Sequence, residues 1–280
     1  MGYSGKSKTE ALLADHSVNL KKSLGQNFLI DENIPRRIAE SCCTDDCGIL
    51  EIGPGAGALT RQLALRAKKV TAIELDRRLK PVLDTALAGL DNVEVIYEDV
   101  LKADLNKIIK QMDCPVRVAA NLPYYITSPV IMALLEQRLP LDSITVMVQK
   151  EAADRLCAKI PSRAAGAVTF AVNYFSEAKT LFNVSRGCFM PRPSVDSTVI
   201  TLDILKTPPV AVKSEKNFFK TVKAAFMHRR KTFINSVSAG TGIEKEVIAA
   251  ALEKCGISAS IRAEQLDMEQ FAKLSDLIFS

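Results

Sequence analysis

Between residues 48 and 150, short apolar runs alternate with stretches whose apolar positions follow helical periodicity. The apolar runs predict strands at residues 48–53, 69–74, 93–97, 116–121 and 144–149. The amphipathic stretches predict helices at residues 58–66, 77–88, 105–112 and 129–137. Strands that alternate with helices form a parallel sheet with helices on both faces, so this region predicts an α/β fold.

The alternation stops after residue 150. Residues 168–175 and 197–204 are strand-like runs with no clear helix between them. Since an antiparallel strand often forms the edge of an otherwise parallel sheet, we expect these two runs to pair there. With the earlier strands they predict a seven-stranded, mostly parallel sheet.

A second domain is predicted at the end of the chain. Pro208 and Pro209 break the pattern and begin a linker. Helical periodicity follows at residues 215–237, 245–255 and 268–278, and one face carries a core stripe of Phe218, Val222, Phe226, Phe233 and Val237. We therefore expect an α/β domain over residues 1–205 and a small all-helical domain over residues 213–280.

Composition is that of a folded protein, with 48% hydrophobic and 25% charged residues in a chain of 280. The first 22 residues are polar and charged, which is unlike a secretory signal. No run approaches the roughly 20 apolar residues needed to span a bilayer. Seven scattered cysteines suit reduced thiols better than a disulfide framework. We expect a cytoplasmic protein without membrane contact.

Metal-dependent and hydrolytic chemistries are not expected. Cys42, Cys43 and Cys47 form the only cysteine cluster, and the two histidines, His16 and His228, are too far away in sequence to complete a recognisable metal site. The chain has no Gly-x-Ser-x-Gly elbow, which also argues against a hydrolytic triad. Methyl transfer from a sulfonium, whose methyl group is already activated, requires no histidine base.

Charge is concentrated near the predicted linker. Residues 206–235 contain eight Lys or Arg residues and one acid, a net charge of +7, while the whole chain carries +5. A basic band on a mildly acidic remainder is typical of a surface that binds a polyanion. A solvated helix surface is the alternative interpretation.

A glycine-rich loop follows the first predicted strand. Residues 53–57, Gly-Pro-Gly-Ala-Gly, permit a tight turn and close approach of a ligand to the backbone. With Ala58 the loop also satisfies the dinucleotide-binding pattern. Glu74 ends the second strand, where a carboxylate can bind both hydroxyls of a ribose. Asp99 follows the third strand and can accept a hydrogen bond from an adenine amine.

The end of the fourth predicted strand distinguishes a nicotinamide enzyme from an amino-methyltransferase, both of which fit the glycine loop. Asn121 offers an amide oxygen, a backbone carbonyl next to Pro123 offers a second acceptor, and Tyr124 offers an aromatic face. Two acceptors and a stacking ring can grip the exocyclic amine of an adenine. A nicotinamide enzyme has no use for this arrangement, whereas an amino-methyltransferase needs it.

These motifs resemble those of the ribosomal RNA adenine dimethyltransferase family over nearly the whole chain. The resemblance is carried by residues 22–29, 50–60, 121–129, 189–197 and 229–232. It implies a Rossmann-like methyltransferase sheet with S-adenosylmethionine as methyl donor and without a metal. It also implies, as substrate, two adjacent adenines in a hairpin near the 3′ end of 16S (small-subunit) ribosomal RNA, dimethylated during subunit biogenesis. We expect a monomer.

The resemblance also assigns roles to individual residues. The donor would be held by Gln26, Asn27, Leu29, Gly53, Gly55, Glu74, Asp99 and Asn121. The catalytic group would comprise Asn121, Leu122, Pro123, Tyr124 and Phe189, with Tyr124 and Phe189 stacking on the extruded base. RNA phosphates would be bound by a basic helix and its flank, at Lys220, Lys223, Arg229, Arg230 and Lys231.

Two other functions fit parts of the same pattern. A related resistance-type enzyme that methylates 23S (large-subunit) ribosomal RNA would share the fold and donor site, and the motifs at residues 22–29 and 229–232 favour the small-subunit substrate. A non-catalytic assembly factor would have no need of the donor residues. The chain departs from the family at Ala165, where tyrosine is common, so no substrate contact is assigned to this position.

Overall fold

The computed structural model describes residues 8–16, 27–123 and 125–280. The strands are β1 Phe28–Leu29, β2 Gly48–Ile52, β3 Lys69–Ile73, β4 Val93–Ile96, β5 Val116–Asn121, β6 Leu141–Gln149, β7 Ser176–Val184, β8 Phe189–Met190 and β9 Ser197–Ile204. The helices are α1 Lys8–Asp15, α2 Asn33–Cys42, α3 Ala58–Ala64, α4 Lys80–Ala86, α5 Leu105–Lys110, α6 Thr127–Glu136, α7 Lys150–Leu156, α8 Ala167–Phe175, α9 Glu215–Met227, α10 Phe233–Thr241, α11 Lys245–Lys254 and α12 Met268–Ile278.

Within the described residues, seven strands form one sheet in the order β4-β3-β2-β5-β6-β9-β7. The first five in this order pair in parallel, and β9 pairs antiparallel with β6. This confirms the predicted seven-stranded, mostly parallel sheet. A separate pair, β1 and β8, lies antiparallel with Leu29 opposite Phe189.

The central strands are almost entirely apolar because helices cover both faces of the sheet. All residues of β2 are buried, and Ile49 packs in one cluster with Ile38 of α2 and Leu63 of α3. Helix α1 contributes Leu13 to a second apolar cluster, which also contains Val82 of α4. These clusters fix the carboxyl ends of β2 and β3, where the glycine loop begins.

One predicted strand of the sheet is wrong. Residues 168–175 form helix α8, and the edge position belongs to β7, which the sequence reasoning did not identify. The β-branched and aromatic composition suggested a strand. Thr169 instead supports a helix start, because its Oγ1 accepts from the N–H of Gly166 at 2.9 Å and donates to the carbonyl of Arg155 at 2.8 Å.

Tertiary packing explains why this segment is helical. Phe170 and Tyr174 lie four residues apart and share one face of α8. The ring of Phe170 lies 4.5 Å from that of Phe271, and the ring of Tyr174 lies 5.3 Å from that of Phe218, measured between centroids. Both pairs are buried, so apolar burial against α9 and α12 outweighs the local strand propensity.

The long helix predicted over residues 215–237 is two helices, α9 and α10, with a break at residues 228–232. Thr232 begins α10 by accepting from the N–H of Asn235 at 3.4 Å. The predicted core stripe is confirmed at four of its five residues, since Phe218, Val222, Phe233 and Val237 are fully buried, whereas Phe226 is half-buried. Residues 229–231 lie in the break, so the expected basic helix is wrong at these positions.

The chain divides into two compact units. The first contains Met1–Ala153 and Lys179–Ile204, and the second contains Asp154–Ala178 and Leu205–Ser280. This division differs from the predicted domains in one segment, because α8 joins the C-terminal helices through its aromatic contacts. Among the described residues, no helix is both long enough and apolar enough to cross a membrane.

Candidate active site

A cavity of about 290 Å³ lies in the first unit, at the carboxyl ends of β2, β3 and β5. Ligands of open α/β sheets bind at this edge, and the volume is at the lower end of small-molecule sites. The predicted site residues that line it are Asn27, Leu29, Gly53, Gly55, Glu74, Asp99, Asn121, Leu122, Pro123 and Phe189. The fold therefore brings together ten of the predicted residues. Gln26 and Tyr124 lie outside the described residues.

The glycine loop adopts backbone conformations that only glycine takes without strain. Gly53 has φ of 72° and Gly57 has φ of 79°. A Cβ atom at Gly53 would have no heavy atom within 4 Å, and Gly53 faces the cavity. Gly57 begins α3, so the loop passes from β2 into the helix in one tight turn. The loop thus exposes its backbone to a ligand.

Glu74 is buried and is fixed by the two loops beside it. Its Oε2 accepts from the N–H of Gly55 at 3.2 Å, and its Oε1 accepts from the N–H of Asp76 at 2.8 Å. Burial raises the pKa of Glu74, while these backbone hydrogen bonds act in the opposite direction. Each carboxylate oxygen can accept more than one hydrogen bond, so both remain able to bind a hydroxyl.

Asp99 occupies a turn directly after β4. Its Oδ1 accepts from the N–H of Leu101 at 3.0 Å, and its backbone carbonyl accepts from the N–H groups of Lys102 and Ala103. The carboxylate is half-buried, and it lies near the exposed ammonium of Lys102 at 4.0 Å. The turn therefore fixes the carboxylate at the wall of the cavity, where it can accept from a ligand.

Asn121 is the last residue of β5, and its side chain contacts the segment that precedes β1. Its Nδ2 donates to the carbonyl of Asn27 at 3.5 Å, which leaves the amide oxygen as an acceptor. The carbonyl of Pro123 accepts from the N–H of Ile126 at 3.1 Å and from Oγ1 of Thr127 at 3.4 Å. The start of α6 therefore fixes this loop.

Phe189 lies in β8 and is only 4% exposed. It packs in the apolar cluster that contains Leu29 and Met147 while also lining the cavity. The structure thus shows a core contact for this ring, and stacking on a base stays a prediction.

Sequence reasoning missed Glu51, which lines the cavity and is 1% exposed. Burial raises the pKa of its carboxyl to about 8. The available signal was an acid inside an otherwise apolar strand, two positions before Gly53, the first residue of the glycine loop. The carboxyl groups around the cavity are those of Glu51, Glu74, Asp76, Glu98 and Asp99, and no Lys, Arg or His is among the described lining residues.

The basic residues predicted to bind RNA lie in the second unit and are all exposed. Lys220 and Lys223 belong to α9, whereas residues 229–231 occupy the turn before α10. Arg229 donates from Nη2 to the carbonyl of Arg163 at 2.7 Å, which ties this turn to the segment before α8. Ala165, in that segment, is fully buried, so a tyrosine there would require a different packing.

The described residues contain no group of three or more His, Cys, Asp or Glu side chains that could hold a metal ion. All seven cysteines lie in the described part of the chain and are free thiols. Hydrogen bonds among the cysteines of the cluster, together with burial, raise the pKa values of Cys43 and Cys47. A raised pKa disfavours the thiolate, so Cys43 and Cys47 are not of the reactive kind.

The parallel sheet carries a glycine loop after β2, acidic residues after β3 and β4, and an Asn-Leu-Pro motif at the end of β5. Together these features define a nucleoside-binding α/β protein. The model of the ribosomal RNA adenine dimethylase family matches residues 17–279, and the chain belongs to this family.

Similar proteins agree with this assignment. The protein named ribosomal RNA small subunit methyltransferase A from Geobacillus thermodenitrificans is 50% identical over 278 residues, which cover 97% of this chain and 95% of the relative. The protein of the same name from Bacillus pumilus is 48% identical over the same shares.

Two solved structures share the fold. A dimethyladenosine transferase from Plasmodium falciparum has a TM-score of 0.69 and 26% identity, covering 88% of this chain and 95% of that chain. The 23S rRNA methyltransferase ErmE has a TM-score of 0.67 and 27% identity, covering 90% of this chain and 100% of that chain.

Proposed function

We propose that this protein transfers methyl groups from S-adenosylmethionine to the exocyclic amines of two adjacent adenines in 16S ribosomal RNA. The adenines would lie in a hairpin near the 3′ end, each would be dimethylated, and the reaction would serve biogenesis of the small subunit. We further propose that the protein acts in the cytoplasm as a monomer. The observation that carries the proposal is the convergence of the glycine loop, Glu74, Asp99 and residues 121–123 on one cavity.

The donor site is supported by the fit between this cavity and a cationic nucleoside. When bound, S-adenosylmethionine supplies an activated methyl group on a positively charged sulfur. Glu74 would bind the ribose hydroxyls, and Asp99 would accept from the adenine amine. Gly53 and Gly55 would bring the backbone close to the ligand, with Asn27 and Leu29 closing the other side. Five carboxyl groups and no described cation around the cavity favour a ligand that carries positive charge.

The target amine would be held at the end of β5. The amide oxygen of Asn121 and the carbonyl of Leu122 would accept its two hydrogens, since the carbonyl of Pro123 is already used by α6. These contacts align the nitrogen with the methyl group, and orientation of this kind lowers a barrier by about 7–11 kcal/mol in well-aligned systems. Tyr124 and Phe189 would stack on the extruded base.

The RNA interface is proposed for the second unit. Its exposed cations, Lys220, Lys223 and residues 229–231, would neutralise phosphates, so binding would weaken as salt increases. Relatives with 48–50% identity are named as small-subunit enzymes, which favours this substrate over the 23S RNA named for ErmE.

The proposal is tested by supplying radiolabelled S-adenosylmethionine to purified small and large ribosomal subunits that lack the modification. We expect label only in the small subunit, at two adjacent adenines. Asn121→Ala should lower the rate by about 100- to 1,000-fold, because the amine loses a positioned acceptor. Asn106→Ala, an exposed asparagine of α5 outside the cavity, is the matched control and should retain activity. Undiminished methylation by Asn121→Ala would refute the catalytic role.

A further inference from the structure

Glu51 occupies the middle of the sheet and faces the proposed donor cavity. It pairs in register with Ala72 of β3 and Ala119 of β5. Side chains alternate along a strand, so Glu51 emerges on the same face of the sheet as Ala119 and Asn121. The small side chains of the two alanines leave room beside the carboxyl group. Glu51 is therefore an acid buried beneath the residue proposed to orient the target amine.

One oxygen of the Glu51 carboxyl group is not satisfied by the residues that the structure describes. Its Oε2 has no hydrogen-bond partner there, and neither has the buried Oγ1 of Thr60 on α3. A buried carboxylate without partners is costly, because its charge has lost the stabilisation that water provides. Burial raises the pKa of Glu51 to about 8, the negative charge of Glu74 adds to this effect, and the nearby Thr60 hydroxyl partly opposes it.

Other charged groups around Glu51 do not neutralise it. Glu74, Asp76, Glu98 and Asp99 line the same cavity and carry the same sign. On β5, Arg117 emerges on the face of Glu51 but is directed elsewhere: its Nη1 donates to the carbonyl of Cys42 at 3.1 Å, and its Nε lies 3.8 Å from Asp142. Of the described lining residues, none is a cation. Burial with an unpartnered oxygen therefore favours the protonated form of the Glu51 carboxyl when no ligand is present.

We propose that Glu51 loses this proton when S-adenosylmethionine enters, and that the resulting carboxylate pairs with positive charge on the donor. The inference rests on the proposed function. The proton passes to the buffer, and a buried ion pair replaces a neutral acid. Binding of the donor is thus coupled to pH through a residue of β2, and Glu51 is a donor-binding residue.

The proton released on binding is measured by calorimetry with S-adenosylmethionine in buffers of different ionisation enthalpy. At pH 6.5 the amino group of the donor is already charged, so a released proton comes from the protein. We expect about one proton per donor bound, since a group with a pKa near 8 is almost fully protonated at this pH. Between pH 6 and 7, donor affinity should rise about tenfold for the same reason.

The variant Glu51→Gln keeps the shape of the side chain and removes the titration. It should bind donor with no proton release and with affinity that does not change between pH 6 and 7. Glu253→Gln, an exposed glutamate of α11, should behave as wild type. Release that persists in Glu51→Gln would assign the proton to another group and overturn the inference.

The wild-type protein alone is decisive if the variant does not fold. Saturable donor binding without proton release, and with pH-independent affinity, would contradict the role of Glu51 while leaving the proposed function intact. Absence of donor binding at any pH would instead contradict the proposed function, and this inference with it. The two failures are therefore distinguishable in one set of titrations.

Discussion

The proposed donor cavity and the basic turn of the helical unit are opposite in charge and in construction. The cavity is lined by backbone loops and by the carboxyl groups of five residues, which lie on β2 and on the loops that follow β3 and β4. The turn at residues 229–231 carries three exposed cations in succession. The first arrangement suits a small cationic ligand held in one orientation, and the second suits an extended polyanion contacted at its phosphates.

This difference predicts that the two regions respond differently to substitution. A ligand held against backbone needs a fixed conformation, so single atoms matter there. Phosphate contacts are made by long, solvated side chains, and each contributes a similar, salt-dependent increment. The comparison therefore predicts that one added methyl group in the cavity strongly lowers donor affinity. Removal of charge at the turn should lower RNA affinity by smaller, additive steps.

The largest effect in the comparison is expected for Gly53→Ala. Gly53 and Gly89 both have positive φ, at 72° and 80°, and an added Cβ would meet no heavy atom within 4 Å at either position. Both substitutions should therefore lower the free energy of unfolding by about 1–2 kcal/mol, through the same backbone strain. Only Gly53 faces the cavity, so only Gly53→Ala should weaken donor binding, by about 10- to 100-fold.

Thermal unfolding and donor titration of the two variants together check this prediction. Equal losses of stability with unequal losses of donor affinity would support the cavity as the binding site. If both variants bind donor as tightly as wild type does, the donor does not approach the backbone at Gly53.

A smaller effect is expected when the basic turn is neutralised. Replacing Arg229, Arg230 and Lys231 with alanine should lower affinity for the RNA roughly tenfold and reduce the slope of log affinity against log salt by about 2. Donor affinity should not change. The control replaces three exposed cations of the same unit, Lys245, Lys254 and Arg262, and so changes net charge equally.

Filter binding at several salt concentrations measures both quantities. If the turn contacts phosphates, the variant at residues 229–231 loses more RNA affinity and more salt dependence than the control does. Equal losses in the two variants would indicate attraction by net charge alone.

Elements whose sequence pattern reflects their own burial could be predicted from the sequence. Val116–Asn121 and Ser197–Ile204 were predicted to the residue, because buried strands are apolar runs bounded by polar residues. Ala167–Phe175 could not be predicted in this way. Its composition favours a strand, and its helical state depends on aromatic partners in α9 and α12, which lie much later in the chain.

The site residues also divide into those that the sequence order reveals and one whose role depends on tertiary packing. The glycine loop, Glu74, Asp99 and Asn121 are recognisable because they stand in fixed order after successive strands, and parallel strands bring their carboxyl ends to one edge. Glu51 was missed because its importance depends on what surrounds it. The sequence does not show whether an acid inside a strand is exposed or buried, and only the folded structure shows that Glu51 is buried with an unpartnered oxygen.

The central claim is that one cavity holds a cationic nucleoside beside Asn121. A crystal structure of the protein with S-adenosylmethionine tests it most directly. We expect the adenosine between Glu74 and Asp99, with the methyl group directed toward the amide oxygen of Asn121. Donor density elsewhere, or a cavity that stays empty at saturating donor, would contradict the account.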